Sequence, residues 1–78
     1  MRVTWAKFIK GRGPVAAVED APASGLVEGV LVHQGEHSWR VRAVESHHNQ
    51  FGGPSSHGLL LHAEPGSPEL PELGELEL

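Results

Sequence analysis

Val30-Leu31-Val32-His33-Gln34-Gly35-Glu36-His37-Ser38-Trp39-Arg40-Val41 is the stretch whose reading decides the fold. Two runs of strand-forming residues flank Gln34-Gly35-Glu36-His37. Those four suit a two-residue hairpin turn with Gly35 first, the position where a type II′ turn requires positive φ. The turn fixes a register. Val32 falls opposite Trp39 and Val30 opposite Val41 on one face; Leu31 falls opposite Arg40 and Gly29 opposite Arg42 on the other. The first face is apolar and looks inward, and the second is half polar. A slipped register sets Val32 against His37 and Glu28 against Val41, which spoils both faces.

Outward from this hairpin the pattern stays β-like. No segment shows sustained helical spacing of apolar residues; short strand-type runs alternate with Gly, Pro, Ser and Asp. The spacing predicts five strands, near Arg2–Lys10, Val15–Glu19, Leu26–His33, Ser38–Ser46 and Gly58–Glu64. In the first, Trp5 alternates with Val3 and Ile9 and is expected in the core, as is Trp39. In the last, Leu59, Leu61 and Ala63 share one face and Leu60, His62 and Glu64 the other. The longest irregular stretch, Ser46 to His57, is poor in strand formers. Loops of about a dozen residues are uncommon in a small domain and are often functional. The expectation is an all-β, small five-stranded barrel or sandwich over residues 1–64, followed by an extended Pro/Glu/Leu-rich tail over 65–78.

Length and composition narrow the function. The chain has 78 residues, 38% of them hydrophobic, and its aromatics are Trp5, Phe8, Trp39 and Phe51. A domain this short buries roughly 60% of its unfolded surface, so its stability margin is thin. Cysteine is absent, which excludes a disulfide framework, a thiolate nucleophile and every cysteine-ligated zinc site. The longest apolar run is the four residues Val15 to Val18, against the ~20 that a membrane span needs. Lys7 and Lys10 interrupt any apolar signal region. A soluble, cytoplasmic protein without a membrane partner is expected.

Charge is unevenly spread. All six Lys and Arg lie in the first 42 residues, and the first 18 hold four of them and no acid. Residues 1–62 carry six cations against five acids; residues 63–78 carry five acids and no cation. Such asymmetry is typical of a tail that takes part in interactions. The tail is biased towards triplets, Pro68-Glu69-Leu70, Pro71-Glu72-Leu73 and Gly74-Glu75-Leu76. Its prolines prevent a helix and favour polyproline II, which would align Leu70, Leu73 and Leu76 on one edge. The closing Glu75-Leu76-Glu77-Leu78 alternates and could instead add to a sheet as an edge strand.

Six histidines suggest metal binding, with His47, His48, His57 and His62 as candidates; His33 and His37 point to opposite faces of the hairpin. Ser55, Ser56 and His57 lie near Glu45, yet no Gly-x-Ser-x-Gly elbow accompanies them. No Walker loop, dinucleotide fingerprint or His-Glu-x-x-His motif is present, and the sequence implies no cofactor and no catalytic residue. Lys7, Lys10, Arg12, Arg40 and Arg42, with Phe8 and Phe51, could bind single-stranded nucleic acid on a basic face. A small barrel also leaves strand edges poorly covered. A non-enzymatic protein-interaction or assembly module therefore accounts for most features, as a homo-oligomer or docked on a larger complex. Phe51, Leu70, Leu73, Leu76 and Leu78 are its candidate contacts, and nucleic-acid binding is the alternative. The general layout resembles SH3-like and OB-like domains, and that resemblance implies architecture and not function.

Overall fold

A computed structural model describes residues 1–47 and 56–78; the candidates Phe51, His48 and Ser55 lie outside the described residues, as does the side chain of His47. The chain is all-β, with six strands: β1 (Arg2–Ile9), β2 (Gly13–Glu19), β3 (Leu31–Gln34), β4 (His37–His47), β5 (Ser56–Ala63) and β6 (Gly74–Glu75). They form one antiparallel sheet in the order β3-β4-β5-β2-β1-β6. Among the described residues there is no helix, and so none long and apolar enough to cross a membrane.

The deciding hairpin forms in the expected register. Val32 pairs with Trp39 and Leu31 with Arg40, around a turn in which Gly35 has φ 59° and Glu36 stays at negative φ. Those are the signs of a type II′ turn, whose twist matches that of the flanking strands. Upstream the register breaks. Val30 N–H bonds to Val27 O at 3.2 Å, and both Gly29 and Val30 oppose Val41: Gly29 N–H donates to Val41 O (2.7 Å) and Val41 N–H to Val30 O (2.8 Å). With Gly29 at φ 94°, this is a glycine-first β-bulge, two residues facing one. The expected pairing of Gly29 with Arg42 is thereby replaced. The strand read from Leu26 begins only at Leu31.

The interior is built from alternate positions of each strand. Val3, Ala16, Val18, Val32, Trp39, Val41, Leu59 and Leu61 are buried together, so Leu59 and Leu61 take the inward face of β5. Trp39 is 1% exposed, and its Nε1–H reaches Pro68 O at 2.8 Å, which meets the requirement that a buried indole find an acceptor.

The sixth strand comes from the acidic segment. After Ala63 the chain doubles back along the barrel: the Ser67 hydroxyl accepts from Ser38 N–H (2.9 Å), and Pro68 receives the Trp39 bond. The Gln34 side chain acts like one more peptide unit. It accepts from Glu72 N–H at 2.8 Å and donates to Glu72 O at 2.8 Å and Glu75 O at 3.0 Å. Gly74 and Glu75 pair with Val3 and Arg2 of β1, and Glu77 pairs with His33 of β3 through bonds of 2.6 and 2.8 Å. Residues 74–77 are thus a stave that joins the two ends of the sheet and closes it into a barrel. Leu76, in the middle of the stave, is 0% exposed and belongs to the core. The three leucines do not share one edge: Leu70 is half-buried, Leu73 exposed and Leu76 interior.

Candidate interaction site along the β1 edge

The stave closes only part of the barrel. It meets β1 at Arg2 and Val3, because Gln34 holds the backbone of Glu72 and draws the chain away towards β3. From Thr4 to Ile9, β1 has β2 on one side and, among the described residues, no strand on the other. In a strand paired on one side, every second residue turns its N–H and C=O to the open side. Six residues, four of them strong β-formers (Thr4, Trp5, Phe8 and Ile9), therefore present an unpaired template among the described residues.

A bulge sets which side chains flank it. The β1–β2 register shifts between Val3 and Trp5, leaving Thr4 as the extra residue, with its hydroxyl 3.4 Å from Ala17 O. One extra residue reverses the alternation that follows. Val3 points into the core, but Trp5 turns to the outer face and is 41% exposed. The expectation that Trp5 is a core residue is corrected by this bulge. Ala6 packs on the core in its place. Phe8, opposite Pro14 near the end of the hairpin, is 60% exposed. The open edge is therefore lined by Trp5 on one face and Phe8 on the other.

The outer face beside this edge forms a shallow groove lined by Trp5, Ile9, Val15, Ala17 and Gly58. Arg12 and Glu45, which form an ion pair, line it as well. The Lys7 ammonium lies 5.9 Å from the Trp5 ring centroid, within cation–π reach.

The cations are otherwise dispersed. Arg2 pairs with Glu19, Arg12 with Glu45 and Arg40 with Glu64, the last at 3.2 Å. Arg40 also donates to Gly29 O at 2.7 Å. Lys7, Lys10 and Arg42 form no ion pair among the described residues. Arg40 on β4 and Lys7 on β1 are separated by β5 and β2, so the five candidate cations do not make one continuous patch.

The histidines do not converge either. His33 carries the backbone bonds to Glu77, and His37 stacks edge-on to Trp39 at 6.4 Å. The two stand at positions of opposite orientation in the hairpin, as read from the register. His57 and His62, five residues apart on β5, also project to opposite faces. His57 lies beside the groove, and its buried Nδ1 has no hydrogen-bond partner among the described residues. Among those residues no three His, Asp or Glu side chains are grouped closely enough to hold a metal ion.

Of the leucines proposed as contacts, Leu73 and Leu78 are exposed. Leu73 immediately precedes Gly74, where the stave leaves β1, so it stands at the end of the open edge. Sequence reasoning missed the edge itself. The available signal was the run Thr4-Trp5-Ala6-Lys7-Phe8-Ile9, which puts large apolar residues at both odd and even positions, Trp5 and Ile9 against Phe8, so that one of the two faces must carry them outside the core. Comparison with protein-family models, with curated proteins and with solved structures returned no match.

Proposed function

We propose that this protein is a non-enzymatic interaction module that takes up an extended polypeptide along the Thr4–Ile9 edge of β1. The observation that carries the reading is an edge that, among the described residues, has a hydrogen-bonded neighbour on one side only, flanked by the half-exposed Trp5 and the exposed Phe8. Strand addition uses such an edge: main-chain bonds supply affinity, and alternate side chains supply selectivity. Trp and Phe beside the new strand would be its apolar anchors, and Leu73 extends the apolar surface at one end.

Selection from a displayed library of random decapeptides tests this. Enriched peptides should be strand-forming, and on titration they should shift the backbone amide signals of Thr4–Ile9 and the Trp5 indole. Absence of enrichment, or shifts confined to other strands, would overturn the reading.

The outward Trp5 with Lys7 over it, and Lys10 close by in sequence, supports a second reading as a single-strand nucleic-acid binder. Its mark is affinity for oligonucleotides that falls steeply with salt. The engagement of Arg12 and Arg40 with carboxylates favours the first reading.

A further inference from the structure

We propose that the occupant of the β1 edge is β1 of a second copy of this chain, paired antiparallel across a two-fold axis at Lys7. The inference rests on the strand-addition reading and names its partner. Opposed residues in an antiparallel pair share a face, so a symmetric pairing of this edge must centre on a residue, and the central choices are Ala6 and Lys7. Centring on Ala6 would set Ile9 of the second copy beside Val3, a place already taken by Gly74. Centring on Lys7 sets Trp5 opposite Ile9 and Ala6 opposite Phe8, and the pairing stops just short of the stave.

The side chains suit that register. The partly exposed Trp5 meets Ile9 on the outer face, and the exposed Phe8 meets the small Ala6 on the other. Symmetry makes each contact twice. Charge selects a copy over an unrelated strand. The turn that follows β1 carries Lys10, and the segment leaving β1 at its other end carries Glu72, neither of which forms an ion pair among the described residues. Antiparallel pairing brings the basic turn of each copy towards the acidic stave of the other, and places exposed Leu73 beside the incoming strand. One feature opposes it: Lys7 faces Lys7. Like charges directly opposite weaken a strand pair, so Lys7 acts as a gatekeeper that keeps the association weak.

Solution mass of the full chain, measured from micromolar to millimolar concentration, tests the proposal. The mass should rise from one chain to two. Lys7→Thr should dimerise about threefold more tightly, and Phe8→Glu should stay monomeric with its fold intact by circular dichroism. When isotope-labelled wild type is mixed with an equal amount of Lys7→Glu, the mixed pair should exceed the half of all dimers that random pairing gives, because only a two-fold axis at this residue sets position 7 against itself. A dimer indifferent to the charge at position 7, or a Lys7→Thr variant still monomeric at millimolar concentration, would overturn the proposal. If selected peptides still shifted the β1 amides in that case, self-pairing would fall and strand addition would stand. If no peptide docked there, both would fall.

Discussion

Replacing Leu76 by alanine puts the closed barrel to its most direct test. The side chain is 0% exposed, between the backbone contacts that tie the stave to β1 and to β3. Truncating a leucine in a filled interior costs about 2–5 kcal/mol, the sum of lost transfer energy and the cavity left behind. For a chain of 78 residues, total stability at ~0.05–0.15 kcal/mol per residue is about 4–12 kcal/mol. The substitution therefore removes a large share of the total. Urea denaturation followed by tryptophan fluorescence, to which the buried Trp39 contributes together with Trp5, is a suitable assay. With a slope of about 1 kcal/mol per molar urea for a domain of this size, the midpoint should fall by roughly 2–5 M or the chain should fail to fold. Leu73→Ala, three residues away and 69% exposed, serves as the control and should stay within about 0.5 kcal/mol of wild type. Equal effects at the two positions, or no effect at Leu76, would refute the closure of the barrel by residues 74–77.

Three further outcomes are expected. Trp39→Phe keeps most of the buried ring but leaves Pro68 O without its donor, and should lower stability by about 1–3 kcal/mol in urea denaturation followed by circular dichroism. Gly35→Ala forces a side chain onto the φ 59° position of the hairpin turn and should cost about 1–2 kcal/mol, measured as a lower thermal midpoint. Gln34→Ala removes the side chain that holds Glu72 and Glu75, so amide exchange across residues 72–77 should accelerate well before that of β4 and β5; uniform acceleration would argue against a locally anchored stave.

The parts of this fold that were legible in the sequence are those fixed by neighbours in the chain. The β3–β4 register followed from Gly35 and the alternation of Val32, Trp39 and Val41, and the inward face of β5 from Leu59 and Leu61. Two features were not legible. The orientation of β1 depends on a single extra residue at Thr4, and an inserted residue leaves no trace in composition while turning every later side chain over. The stave reads as a tail in the sequence because Pro, Glu and Leu in triplets suit a solvated extended chain. Its fate is decided by partners 29 to 41 residues away, Ser38 and Trp39 for Ser67 and Pro68, and Gln34 for Glu72 and Glu75. The suggestion that Glu75 to Leu78 adds to a sheet edge came nearest, with the edge supplied by the chain itself. The candidate site inherits both difficulties, since the edge is open where the stave departs and aromatic because of the bulge.

The stave also orders events in time. The β1–β2 and β4–β5 pairs are hairpins, and β2 meets β5 at intermediate separation, whereas the amide of Leu76 must find Met1 across 75 residues. Loop-closure entropy makes that meeting the last to become favourable, and barrels dominated by such contacts fold in roughly milliseconds to seconds. Until it occurs both edges of the sheet are bare, with Val3 uncovered beside Thr4–Ile9. A nascent chain thus passes through a stage in which β1 is a longer adhesive edge than in the finished barrel, and Lys7 is the cation placed to hold other chains off during that interval.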